Sequence, residues 1–211
     1  MTEDKIQAKF WLQVKPGDIV LLSDKQALED SMKAGLGVKP LKYSVDSIVS
    51  ITDFDGLATW RLFHMKSADV SQELLMTVKV VDRLFDVLLY YQTDFQPGSR
   101  EDIVRRGDLF LFQKPTDPTN YAPKDLLFTD SLEKDGCRWV VKLGSFHGEA
   151  KFTPDKTGVG DLFATMTEYS LTSGVTDDKE LLIVELGKDN GLITLYAGCT
   201  VNLNEVDIFP I

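Results

Sequence analysis

Thr59-Trp60-Arg61-Leu62, followed by Glu73-Leu74-Leu75-Met76, returns later in the chain as Glu168-Tyr169-Ser170-Leu171, followed by Glu180-Leu181-Leu182-Ile183. Trp60 and Tyr169 stand 109 residues apart and Glu73 and Glu180 stand 107 apart, so order and spacing recur almost unchanged. Each aromatic segment reads as a strand and each Glu-Leu-Leu segment opens a hairpin. The echo therefore predicts one β-rich unit used twice, each copy folding its own sheet.

Around the first copy, turn chemistry marks the strand ends. Asp53-Phe54-Asp55-Gly56 precedes the strand from Leu57 to Met65, and Asp-Gly ahead of an alternating run is a hairpin signal. Upstream, Tyr43, Val45, Ser47 and Val49 alternate with Ser44, Asp46, Ile48 and Ser50, which predicts two faces of one strand. Glu73 to Val81 and Leu84 to Gln92 form a second hairpin about Asp82-Arg83. At the N-terminal side, Phe10 to Val14 and Ile19 to Leu22 read as strands joined by the turn Lys15-Pro16-Gly17-Asp18. Ser23 with Gln26 has capping-box spacing and Gly35 suits a left-handed stop, predicting a helix over 24–34. Ser99 and Gly107 bracket a second short helix over 100–106, and Leu109 to Phe112 reads as one more strand.

Pro115, Pro118 and Pro123 then fall within nine residues, a composition that continues neither a helix nor an interior strand. This predicts a linker at 115–123 between unit one, 1–114, and unit two, 124–211. In unit two, Cys137 to Leu143 reads as a strand ending at a Gly144 turn, followed by Met166 to Thr172. Glu180 to Leu186 and Leu192 to Ala197 flank Asn190-Gly191, a hairpin turn matching the one at 82–83. Val201 to Ile211, with Pro210, reads as an edge strand. The expected fold class is mostly β, α+β, with two related antiparallel units and a few short helices.

Charge narrows the partners. With 23 Lys and Arg against 33 Asp and Glu the net charge is −10, which repels a nucleic-acid backbone, and Arg100, Arg105 and Arg106 are interrupted by Glu101, Asp102 and Asp108. Met1-Thr2-Glu3-Asp4-Lys5 carries acid where an export signal is basic, and no apolar run approaches the roughly 20 residues of a membrane helix. A cytoplasmic protein without membrane contact is expected. Its two cysteines, Cys137 and Cys199, then read as free thiols.

Catalytic signatures are sparse. His64 ends a strand and His147 sits in Ser145-Phe146-His147-Gly148; a nominal thiolate dyad of Cys137 with His147 needs a hairpin to join them. Asp53 and Asp55 beside Gly56 have oxygen ligands for a calcium ion, but the same residues serve ordinary turn chemistry. No phosphate-cradling glycine loop or zinc spacing occurs, and no cofactor is expected. The aromatic residues on strands read mainly as core, with a ligand cavity as the alternative.

From Tyr43 to Tyr91, and again from Trp139 to Tyr196, the Asp-Gly turn, aromatic strand and short meander resemble bacterial β-rich domain families of unknown function. That resemblance implies a β module and brings no activity or site residue with it. The sequence reading is a non-catalytic interaction or assembly module with a protein partner. The alternatives are a small-ligand-binding sheet or barrel, and an enzyme using Cys137 with His147 or acidic residues.

Overall fold

The computed structural model describes residues 11–22, 42–67, 73–81, 84–93, 96–107, 109–114, 116–117, 120–134, 137–154, 162–171, 179–187, 191–200 and 206–211. The helix expected at 24–34 and the turns at 82–83 and 188–190 lie outside them. Its first meander comprises β1 (Ile19–Leu22), β2 (Lys42–Asp53), β3 (Ala58–Lys66), β4 (Leu74–Val81) and β5 (Leu84–Gln92). After β6 (Gly98–Ser99) and α1 (Arg100–Arg106), the second comprises β7 (Ser131–Lys134), β8 (Cys137–Thr153), β9 (Leu162–Leu171), β10 (Lys179–Leu186) and β11 (Leu192–Thr200). A last strand, β12 (Val206–Phe209), pairs with β1 at the sheet edge, as its proline and weak alternation predict.

The chain is mostly β, and eight of its strands close an antiparallel barrel. The expected division at 115–123 does not separate one sheet from another. β5 pairs with β11, Tyr90 opposite Gly198, and β2 pairs with β8, Ile51 opposite Ala150. The barrel part of each meander, β2–β5 and β8–β11, has two open edges whose unpaired amides and carbonyls need partners, and each part satisfies the other's. The meanders share one plan: β1 pairs with the opening stretch of β2 and β7 with that of β8, while the far ends of the long strands, 48–53 and 148–153, form one of the two seams between the meanders.

Each seam carries a glycine that the close approach requires. A Cβ on Gly148 would meet the Thr52 carbonyl carbon at 2.7 Å, with the carbonyl oxygen nearer still. One on Gly198 would meet Tyr90 Cδ1 at 2.5 Å and the Leu89 carbonyl oxygen closer than that. Both contacts lie across a seam, so glycine is what lets two backbones come together there.

Three cores result. The barrel interior draws on all eight strands, including Val49, Trp60, Leu75, Tyr90, Ala150, Met166, Leu182 and Tyr196, so its lumen is filled with side chains. The first meander's outer face, with Phe63, Met65, Leu74 and Met76, is covered by β1, β12 and residues 11–14. The second meander's outer face, with Trp139, Tyr169, Leu181 and Ile183, is covered by α1 and the segment 109–128.

Trp60 thus faces the lumen and Tyr169 faces outward, contrary to the echo's alignment. Leu74 pairs with Met65 and Leu181 pairs with Tyr169, so Tyr169 stands where Met65 does. The Glu-Leu-Leu half of the echo does keep its facing: Leu75 and Leu182 point inward, Leu74 and Leu181 outward.

Other local readings change for identifiable reasons. Residues 11–13 are helical rather than strand, because Trp11 and Val14 are buried at a three-residue spacing while Leu12 is exposed. The alternation of β2 breaks at a bulge between Val45 and Ser47: Tyr43, Val45 and Ile48 share the outer core, and Val49 and Ile51 turn inward. Leu109–Leu111 forms a 3-10 turn, leaving only a bridge between Phe112 and Phe128. Gly144 makes no hairpin, since register shifts between Val141 and Phe146 carry β8 straight through.

Within the lumen, Thr77 Oγ1 and Trp60 Nε1 find no hydrogen-bond partner among the described residues. A buried hydroxyl without a partner costs about 1–3 kcal/mol of desolvation. Thr77→Val is therefore expected to raise stability by about 1 kcal/mol, read as a higher urea midpoint. A drop of the same size would show that the hydroxyl is satisfied.

Candidate functional site

Ser99 starts α1: its Oγ accepts from the Asp102 amide at 3.2 Å, and Asp102 Oδ2 accepts from the Ser99 amide at 3.2 Å. The Ser99 hydroxyl, donating to Asp102 Oδ2 at 2.8 Å, and then the Ser99 amide hold the Asp102 carboxyl below its usual range. Gly107, at φ 74°, closes the helix in the left-handed conformation. So framed, Arg100 enters from the first helical turn and meets Glu185 of β10, Nε donating to Oε1 at 2.6 Å and Nη2 to Oε2 at 2.8 Å. Its Nη1 donates to the Pro123 carbonyl at 3.3 Å and to that of Leu126. The guanidinium also lies 5.3 Å from the centroids of the stacked Phe112 and Phe128 rings. A single arginine thus ties helix, loop and barrel together through a planar, bidentate fork.

Arg61 performs the corresponding task on the first meander. From β3 it donates to the carbonyls of Trp11 and Val14, the latter at 3.0 Å, and lies 5.1 Å from the Phe63 centroid. Burial pulls its pKa below the ordinary arginine value. A cation at the C-terminal end of the helical residues 11–13 also meets the negative end of their dipole.

Above the Arg100–Glu185 pair opens a cleft of about 450 Å³. Phe54, from the β2–β3 turn, and Phe163, from β9, form one wall with ring centroids 5.9 Å apart. Leu126 and Leu127 line the cleft, with Lys124 and His147 as its other ionisable groups. Phe54 is 68% exposed and Leu127 65%, so the cleft's mouth is apolar and open to water. A second hollow, of about 670 Å³, lies between Leu109, Phe110 and Tyr121, with Lys114 as the one charged side chain lining it.

The sequence candidates are distributed differently from their expected pairing. His147 is exposed, its Nδ1 3.0 Å from Thr165 Oγ1, and it borders the cleft. Cys137 begins the same uninterrupted strand ten residues earlier, roughly 30 Å away at the rise of an extended chain, so the dyad is not assembled. Cys199, on β11, is half-buried and in no disulfide among the described residues. Asp53 Oδ1 accepts from the Ala58 amide at 3.1 Å, which is turn chemistry, and Asp55 is exposed at the tip. Among the described residues no cluster of three or more His, Cys, Asp or Glu is arranged to hold a metal ion.

Among acidic groups, Glu180 is buried yet engaged, by Lys142 Nζ at 3.0 Å and Ser170 Oγ at 3.0 Å. Burial raises the Tyr196 hydroxyl pKa, with a smaller push from Glu73. Arg100, Glu185, Phe163 and Leu127 had no local signal as site residues. Phe54 was not singled out either, although its place between two turn aspartates is a local signal that could have marked it as exposed. No described helix is long and apolar enough to cross a membrane. No family model, curated protein or solved structure matches the chain.

Proposed function

We propose that the chain is a non-catalytic interaction module of the cytosol, which receives a protein partner on the rim formed by Phe54, Leu57 and Leu127. The observation that carries this reading is the exposure of Phe54 and Leu127, which line one cleft, together with Leu57, 76% exposed on the same turn as Phe54. Soluble proteins seldom leave such groups together without a use for them. The filled lumen argues against the alternative in which a ligand occupies the barrel itself. The common strand order of the two meanders supports reading them as copies of one unit.

A photo-cross-linking residue at position 57 should capture one defined cytosolic protein at least roughly tenfold more efficiently than the same residue at the exposed Leu12. Phe54→Ser combined with Leu127→Ser should remove that product. Equal capture from positions 57 and 12, or capture indifferent to the double substitution, would sink the reading.

A further inference from the structure

We infer that the cleft beside Phe54 is a binding site for a small aromatic anion, a planar ring carrying one acidic group. This goes beyond the protein-partner reading and does not depend on it. At about 450 Å³ the space falls within the range of small-molecule pockets, roughly 300–1,000 Å³. Its walls suit a ring: the tilted Phe54–Phe163 pair on one side and Leu127 among the remaining lining residues. Phe54 and Leu127, 68% and 65% exposed, would both be covered by an inserted ring.

Charge selects the substituent. Arg100, Lys124 and His147 line the cleft against one acid, Glu185. Glu185 is matched by Arg100, so its charge is spent within the floor. Lys124 forms no ion pair among the described residues, and the described lining residues carry one net positive charge. His147 also borders the cleft, its Nδ1 3.0 Å from Thr165 Oγ1, which holds the ring in place. The chain's net charge of −10 opposes an anion at long range, but salt screens charges beyond a Debye length of roughly 8 Å. The local set therefore decides.

The test titrates the full chain with 1-anilinonaphthalene-8-sulfonate and, separately, with its uncharged relative N-phenyl-1-naphthylamine, following fluorescence and calorimetric stoichiometry. The sulfonate should saturate one site, and the uncharged probe should bind roughly tenfold more weakly or worse. Lys124→Glu and Phe54→Ser should each weaken sulfonate binding by roughly tenfold, while Leu12→Ser, exposed but away from the cleft lining, should not. Lys124→Gln and Leu127→Ala give the same readout if either first variant loses its wild-type unfolding midpoint. Absence of saturable binding, equal affinity for the uncharged probe, or indifference to the substitutions in folded protein would each overturn the assignment. Because cross-linking from position 57 is read separately, failure of the anion site and failure of the protein-partner reading can be told apart.

Discussion

Gly198→Ala is expected to destabilise the protein by at least about 3 kcal/mol, at or beyond the upper end of ordinary overpacking. The new methyl group would run into the Leu89 carbonyl and the Tyr90 ring, and a backbone carbonyl cannot swing aside as a flexible side chain can. Relief requires β5 and β11 to separate, which breaks the ladder from Leu88 to Gln92. Gly148→Ala should behave alike at the other seam, where the obstacle is the Thr52 carbonyl. Gly107→Ala supplies the contrast: its φ is 74° but nothing lies within 4 Å, so only left-handed strain remains, about 1–2 kcal/mol. Urea denaturation of the three variants decides the matter. If Gly198→Ala and Gly148→Ala lose no more than Gly107→Ala, the seams are not as tightly apposed as described.

Glu185→Ala should cost about 3–5 kcal/mol, because it leaves the Arg100 guanidinium buried without its counter-charge. The side chains of this pair are 11% and 8% exposed, so solvent does little to replace the lost carboxylate. Replacing both partners, Arg100→Met with Glu185→Leu, should recover a large fraction of the loss, since two apolar groups of similar volume need no compensation. The double variant still lacks the bonds to the Pro123 and Leu126 carbonyls. It should therefore show faster amide exchange in the segment 120–128 while keeping a near-native urea midpoint. A double variant as unstable as the single one would mean that Arg100 acts mainly through those carbonyls and the Phe112 and Phe128 rings. In contrast, the exposed pair Lys66 with Asp46, at 3.0 Å, should be nearly silent on substitution.

The hairpins were readable because their signals are local. Asp53 to Gly56 turns the chain and Thr52 faces Thr59, as the Asp-Gly step and the alternation require. The α1 boundaries were equally plain from Ser99 and Gly107, since capping involves groups within a few residues of each other. At β2 the alternation misled, because one bulge residue reverses the facing of everything after it and leaves no compositional mark. The same physics hid β8. Gly144 and Ser145 look like a turn, yet register shifts along the pairing with β9 absorb them within one strand. That error alone produced the supposed Cys137–His147 dyad.

The amino-acid order by itself determined most of the strands, the Asp53–Gly56 turn, the short helix and the repeated rhythm of meanders, since these depend on periodicity and on residues adjacent in the chain. Only the tertiary structure decided that the meanders close on one another, that Trp60 turns inward while Tyr169 turns outward, and that Arg100 meets Glu185 in the cleft that Phe54 also lines. Those outcomes join residues 85 to about 108 positions apart, such as Arg100 with Glu185 and Tyr90 with Gly198. Open strand edges specify that a partner is needed without encoding which one. The choice is made by close approach at Gly148 and Gly198, and by which side chains jointly fill the lumen.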